Sequence, residues 1–146
     1  MTLHHLTFRA FCQATEDEAR VAEALRFASG EDAKDINRER CIGYHGNPIV
    51  IMDIAVLKAR MVKGVFLRLS EEDRAELQGT LEGRIDEDCA FYFRLDKQEA
   101  YLGRMVLGEK GEEHDVIAVH GKVKTYPKSR EGAIEVMDAF LSSFRE

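Results

Sequence analysis

The chain has 146 residues, of which 45% are hydrophobic and 33% are charged, and it carries a net charge of −6. This composition is typical of a soluble globular domain with a real core, and the acidic balance argues against a protein that binds nucleic acid nonspecifically over its whole surface. No apolar run approaches the roughly 20 residues of a membrane-spanning helix, and the N-terminus lacks the basic and apolar regions of a signal peptide, so we expect a cytoplasmic protein.

Alternating and helical hydrophobic patterns predict the secondary structure in chain order. Period-two alternation predicts a strand over residues 3–13 with one buried face. Thr15–Glu18 matches a capping box, which predicts a helix that runs to about Ser29 and stops at Gly30. The later predicted elements are strands over 38–42, 49–56, 89–95, 104–107 and 116–126, and helices over 58–69, 71–84 and 97–102, with a last helix capped by Ser129.

No repeat, linker or low-complexity tract divides the chain. We therefore expect a single α+β domain over residues 1–146, with a mostly antiparallel sheet and helices packed on one face in two layers. The three cysteines, Cys12, Cys41 and Cys89, lie in apolar strand patterns without CxxC spacing. We expect them to be buried thiols rather than disulfides or metal ligands.

The most unusual stretch is Gly43–Pro48, where two glycines, a histidine, an asparagine and a proline fall within six residues. Glycine and asparagine accept positive φ, and proline disfavours helix at the residue before it. An apolar run follows at once. The stretch predicts a rigid hairpin turn that presents His45 and Asn47.

The outward halves of the predicted strands combine basic and aromatic side chains. These residues are Arg9, Phe11, Tyr92, Arg94, His120, Lys122, Lys124 and Tyr126. No acidic side chain is expected among them, although acids outnumber bases in the chain. Such a surface is typical of proteins that bind single-stranded RNA, with bases stacked on rings and phosphates paired with Arg and Lys. An ordinary solvated sheet face and a dimer interface remain alternatives.

Catalytic and cofactor motifs are absent from the sequence. It contains no GxxxxGK[ST], HExxH or GxSxG pattern and no paired Cys/His spacing for zinc. His45 has no carboxylate or nucleophile nearby in sequence that would complete a catalytic triad. We expect no enzymatic activity, no cofactor and no metal.

The chain resembles an archaeal family of small proteins described as predicted RNA-binding or exosome-subunit-like proteins. The resemblance covers nearly the whole chain and is carried by Phe8–Phe11, Thr15–Glu18, Gly43–Ile49 and Tyr92–Gln98. It implies a fold similar to that of the ribosomal protein that binds five-S RNA. It also implies a role in RNA processing or ribosome-related complexes, with exosome or ribosomal components as partners. It implies RNA contacts at motif positions Arg9, His45, Asn47, Arg94 and Lys97.

Three functional hypotheses follow. The first is an RNA-binding module, for which the outward face adds Tyr92, Lys122 and Lys124 to the motif positions. The second is a protein-interaction subunit or homodimeric scaffold that uses the exposed sheet face. The third is an enzyme centred on His45, which requires a closed pocket around that residue.

Overall fold

The computed structural model describes residues 2–31, 35–43, 46–108 and 116–145. Within these ranges the strands are β1 (Leu6–Cys12), β2 (Asn37–Ile42), β3 (Pro48–Val56), β4 (Ala90–Asp96) and β5 (Val116–Lys122). The helices are α1 (Glu18–Ser29), α2 (Ala59–Arg68), α3 (Glu71–Gly79), α4 (Lys97–Tyr101) and α5 (Arg130–Ser142), with short 3₁₀ turns at Leu81–Gly83 and Ser143–Arg145.

The strands of the described ranges form one antiparallel sheet in the order β2-β3-β1-β5-β4. β1 lies at the centre, and its burial alternates strictly along the strand. This alternation buries one face of the sheet against helices and leaves the other face open to a ligand. The predicted α+β class with a mostly antiparallel sheet is confirmed.

The buried face of the sheet packs against the helices through a phenylalanine cluster. Phe66 of α2 lies with its ring centroid 5.6 Å from that of Phe93 and 5.2 Å from that of Phe140, the latter at 89°. Phe66, Phe91 and Phe93 are at most 2% exposed. Edge-to-face and tilted ring contacts of this kind add to the hydrophobic stabilisation of the core. The cluster therefore fixes α2 and α5 on the side of the sheet away from the open face.

Helix boundaries follow the predicted caps with one exception. Ser70 and Ser129 cap α3 and α5, accepting hydrogen bonds from Asp73 N and Gly132 N. Gly30 ends α1 with a φ of 79°. The capping box at Thr15–Glu18 is wrong, because Asp17 is the N-cap of α1 and Glu16 instead accepts a hydrogen bond from Gln13 N at 3.0 Å.

Three predicted elements are shorter than the sequence patterns suggest. α3 ends at Gly79 rather than near residue 84, because Thr80 donates its hydroxyl hydrogen bond back to Glu76 O and the chain tightens into a 3₁₀ turn. β5 ends at Lys122 rather than at residue 126, and Val123 forms only an isolated bridge with Leu3. The predicted strand over 104–107 is reduced to one bridge between Leu95 and Leu107.

The turn at Gly43–Pro48 joins β2 to β3 as an antiparallel hairpin, as predicted. Gly46 has a φ of 78°, and Gly43 N donates to Asn47 O at 2.7 Å. Tyr44 and His45 lie outside the described residues. The local geometry accounts for the glycines of the turn, because a side chain at Gly43 would meet Ile49 at 2.5 Å.

The cysteines differ in burial, and the helices are too short or too polar to cross a membrane within the described ranges. Cys12 and Cys89 are buried, as predicted, whereas Cys41 is only half-buried because β2 is an edge strand. Cys89 lies just before β4 with a φ of 64°, not inside a strand. Within the described ranges no helix is long and apolar enough to cross a membrane.

Candidate nucleic-acid interface

The open face of the sheet brings together side chains from three adjacent strands. The antiparallel register places Arg9 of β1 opposite Ala118 of β5, and Ala118 opposite Arg94 of β4. Directly opposite residues in an antiparallel pair share a face, so these three side chains form one row. The neighbouring row on the same face consists of Thr7, His120 and Tyr92.

These rows line a groove of about 570 Å³, which we call the sheet groove. Its lining includes Arg9, Arg84, Tyr92, Arg94, Ala118 and His120. Alanine at the centre leaves the space between the two strand arginines open. Positive charge and an aromatic surface therefore meet in one concave site on a chain whose net charge is −6.

Tyr92 and His120 form a stacked pair of rings beside the arginines. Their ring centroids are 5.9 Å apart with an interplanar angle of 30°, and Tyr92 is 47% exposed. The Tyr92 hydroxyl donates a hydrogen bond to Asp86 Oδ2 at 3.1 Å, which fixes the ring. Hydrogen bonds from Ala90 N and from Tyr92 hold the pKa of the Asp86 carboxyl below its usual range, although burial opposes them. A planar base could stack on this surface.

His120 is neutral near pH 7. Burial lowers the pKa of the His120 imidazole, and the nearby positive charges of His5 and Arg9 lower it further. A neutral imidazole stacks without attracting phosphate, so at neutral pH the charge of the sheet groove comes from its arginines.

Acidic side chains also lie on the open face, which corrects the prediction that none would. Asp53 of β3 faces Arg9 in the register, and Arg9 Nη2 lies 3.7 Å from Asp53 Oδ2. Asn37 Nδ2 donates to the same carboxylate at 3.3 Å. Glu39 shares this face through its pairing with Ile51. The prediction failed because β3 pairs with β1, which adds the outward side of β3 to the same surface.

Arg84 is a groove residue that the sequence analysis missed. The sequence pattern predicts it at the end of a helix over 71–84, but α3 stops at Gly79 and the chain turns back along the edge of β4. Arg84 O accepts a hydrogen bond from Tyr92 N at 2.9 Å, and Arg84 Nε donates to Thr80 Oγ1 at 2.7 Å. The glycines at 79 and 83 were the available signal, since glycine weakens a helix interior.

The chain is similar in sequence to known RNA-binding proteins. A family described as "RNA binding" matches residues 5–123. The chain belongs to this RNA-binding family. It is 39% identical to the RNA-binding protein PAB1135 of Pyrococcus abyssi, over 94% of this chain and 93% of that one. It is 32% identical to the uncharacterised protein MJ0213 of Methanocaldococcus jannaschii, over 91% of this chain and 93% of that one.

A solved structure has the same fold as this chain. Mth689, a DUF54 protein of Methanothermobacter thermautotrophicus, superposes with a TM-score of 0.78 at 30% identity, covering 97% of this chain and 99% of that one. The antiparallel sheet with its helices is therefore the fold of the family, and the open face is the part of the fold on which the groove residues lie.

Lys97, predicted as an RNA contact, is buried in the interior of the protein. It is 0% exposed, and its Nζ donates to Phe11 O at 3.0 Å and lies 2.9 Å from Glu16 Oε2. The Tyr101 hydroxyl donates to the same carboxylate at 3.1 Å. This corrects the prediction, because the ammonium is fully engaged in joining α4 to β1 and offers no charge to a ligand.

The other predicted contacts lie outside the sheet groove. Lys122 is half-buried on the open face, and its Nζ donates to Asp88 O at 2.9 Å. Lys124 is exposed beyond the end of β5. Asn47 precedes Asp53 by six positions, or about 20 Å along the strand, so the hairpin turn is distant from the row of Arg9. The prediction for His45 falls outside the described residues.

A metal centre is not formed by the side chains that the structure describes. Among them, no three His, Cys, Asp or Glu residues come together in a group that could hold an ion. The chemistry available at the sheet groove is therefore hydrogen bonding from arginine, stacking and charge.

Proposed function

We propose that the protein binds RNA through the sheet groove and the open face around it, as a binding module without catalysis of its own. The observation that carries the proposal is the convergence of Arg9, Arg84 and Arg94 beside the stacked rings of Tyr92 and His120. Membership of an RNA-binding family supports the same function.

Each part of the sheet groove matches one component of RNA. Arginine guanidinium groups suit phosphate oxygens, with which they form paired, charge-assisted hydrogen bonds. An exposed tyrosine offers a surface on which a base can stack, at about 1–3 kcal/mol per base. Within the described ranges the guanidinium of Arg94 makes no hydrogen bond or ion pair, so it can bind a phosphate without breaking an existing contact.

The charge pattern favours RNA over a homodimer that uses this face. A twofold interface pairs the same patch on both subunits. Burying the sheet groove in such a dimer would bring the arginines of two copies together, and like charges placed together in an interface are unfavourable. RNA is therefore a better ligand for the sheet groove than the groove of a second copy.

The proposed setting is RNA processing or ribosome-related complexes in the cytoplasm, with exosome or ribosomal components as partners. The resemblance of the sequence motifs to the archaeal family supports the role, the partners and a fold similar to the ribosomal protein that binds five-S RNA. The cytoplasmic location rests on the hydrophobic pattern of the sequence. Hairpin residues His45 and Asn47 and the outlying Lys122 and Lys124 belong to the proposal as secondary contacts, away from the groove.

The test is fluorescence anisotropy with labelled single-stranded and structured RNA at two salt concentrations. We expect salt-dependent binding at micromolar protein. Arg94→Ala should weaken it about tenfold, because a hydrogen bond to a charged group is worth about 1.5–3 kcal/mol.

Arg60→Ala is the matched control, since Arg60 is exposed on α2, behind the sheet. It removes the same charge and should leave the affinity nearly unchanged. Absence of salt-dependent binding, or equal losses in the two variants, would contradict the proposal.

A further inference from the structure

One end of the sheet groove is closed by a ring of hydrogen-bonded segments. On the outer edge of β4, Tyr92 N donates to Arg84 O at 2.9 Å and Gly108 N donates to Arg94 O at 2.8 Å. Leu107 N in turn donates to Asp73 Oδ2 at 3.1 Å, at the start of α3. The chain continues from α3 to Arg84. Beyond β4, α3 therefore connects the segment at Arg84 with the segment at Leu107–Gly108.

The closed end presents an arginine that is held in place. Arg84 Nε is used by Thr80 Oγ1 at 2.7 Å, and no other hydrogen bond or ion pair is made by this side chain within the part of the chain that the structure describes. Most N–H donors of the guanidinium therefore stay available. Gly83 and Gly108 also line this end.

Two guanidinium groups, those of Arg84 and Arg94, line this end of the groove, and the carboxylate of Glu76 lines it as well. Burial lowers the pKa of the Arg84 guanidinium, the carboxylate of Glu76 raises it, and the positive charge of Arg94 lowers it again. The two guanidinium groups share one concave site and repel each other, so an anion bound to both would relieve this repulsion. A phosphate monoester carries about −1.5 to −2 charge at pH 7, more than the single charge of an internal phosphodiester.

The wall beyond Arg84 also limits how an RNA strand can run. A strand that crosses the sheet from β1 to β4 reaches α3, where Glu76 lines the groove. A further backbone phosphate would meet this carboxylate and be repelled. The closed end therefore suits the terminus of a strand better than its interior.

We propose that the closed end of the sheet groove binds the terminal phosphate monoester of an RNA strand, held between Arg84 and Arg94. This inference rests on the proposed RNA-binding function and names the group that the groove selects. The 5′ and 3′ ends share this chemistry, and the experiment separates them.

The experiment is competition by unlabelled RNA of one sequence, ten nucleotides long, against a labelled RNA with hydroxyl ends. The three competitors carry a 5′-phosphate, a 3′-phosphate or hydroxyl groups at both ends. We expect one phosphorylated form to compete at about tenfold lower concentration than the hydroxyl form, from charge-assisted hydrogen bonds to two arginines. Arg84→Ala should reduce this ratio to about one, whereas Arg60→Ala should keep it.

The outcomes separate this inference from the function on which it rests. If no RNA form binds, both are overturned. If all three forms compete equally, or if the phosphate advantage survives in Arg84→Ala, only the terminal-phosphate site is overturned. Arg94→Ala should also lose the advantage, and urea unfolding of each variant verifies that the fold is intact.

Discussion

At the scale of single residues, the buried Lys97 is the clearest case of a polar group with a structural role. Its ammonium is paired with Glu16, which also accepts hydrogen bonds from Gln13 N and the Tyr101 hydroxyl. Arg20 lies over the ring of Tyr101, 5.3 Å from its centroid. A buried ion pair that is fully hydrogen-bonded holds the elements that carry it in one arrangement, and losing one partner is costly. The network therefore joins the turn before α1 to α4.

This network predicts a specific acid dependence of stability. Burial raises the pKa of the Glu16 carboxyl, but the hydrogen bonds from Lys97 and Gln13 outweigh it and leave the pKa below the ordinary 4.5. A carboxyl whose pKa is lowered by folding stabilises the protein above its unfolded pKa, and this stability is lost as the pH falls through the folded value. Glu16→Gln should therefore lower the free energy of unfolding at pH 7 by about 2 kcal/mol, less than for a fully buried pair because Glu16 is partly exposed.

Urea unfolding from pH 7 to pH 3 measures this effect. The difference between wild type and Glu16→Gln should shrink below pH 4.5 as the wild-type carboxylate is protonated. Glu23→Gln on the exposed surface of α1 is the control and should leave the urea midpoint nearly unchanged. A difference that stays constant over the whole pH range would refute the assignment.

At the scale of elements, α2 packs on the core through Val62, Val65 and Phe66, of which Phe66 is the largest. Phe66 is 0% exposed and contacts rings from β4 and α5. Phe66→Ala should destabilise the protein by about 3–5 kcal/mol through lost burial and the cavity left behind. Its neighbour Leu67 is 56% exposed, so Leu67→Ala should change stability by no more than about 0.5 kcal/mol. Urea unfolding compares the two, and similar losses would mean that α2 is not anchored through Phe66.

The elements also show what the sequence could and could not predict. Local patterns predicted β3 to within one residue, and they predicted the start of α5 from its Ser129 cap. They predicted β1 too long, over 3–13, whereas the strand spans Leu6–Cys12. Strand order depends on long-range pairing, so the approach of Asp53 to Arg9 left no local signal. The ends of α3 and β5 depend on the hydroxyl of Thr80 and on an edge contact at Val123, which hydrophobic periodicity does not reveal.

The candidate site also contains residues that the sequence predicted and residues that it did not. Alternation placed Arg9, Tyr92, Arg94 and His120 on one outward face, and the structure brings these four together. Arg84 arrives from a neighbouring segment only because a helix ends early. Lys97 follows directly after β4, and its burial is decided by Glu16, 81 positions away in the sequence.

At the scale of the whole molecule, the open face has a basic half and an acidic half. Its β1-β5-β4 half carries the positive charges of Arg9 and Arg94, whereas its β3-β2 half carries Asp53 and Glu39. An acidic protein can bind a polyanion only where its local potential is positive, and charge of the wrong sign nearby directs the ligand. The proposed RNA path therefore crosses β1, β5 and β4 and avoids the β2-β3 hairpin.

RNA affinity should also depend on the protonation of His120, the one histidine among the described residues that line the sheet groove. The His120 pKa lies below its ordinary value, so the imidazole is neutral at pH 7.5 and gains a positive charge only when the pH falls below about 6.5. A bound phosphate favours the charged form, so RNA should bind more tightly as the pH decreases. One added charge near a phosphate is worth about 1 kcal/mol in water, which is about fivefold in affinity.

Anisotropy titrations at pH 7.5 and pH 5.5, at one salt concentration, measure this change, with His120→Gln as the matched variant. Glutamine keeps a planar polar side chain but cannot take up the proton. Wild type should gain about fivefold in affinity at the lower pH, and His120→Gln should gain less than about twofold, the remainder coming from other histidines. An equal gain in both proteins would place the proton uptake elsewhere, and a loss of affinity at pH 5.5 would oppose a phosphate beside His120.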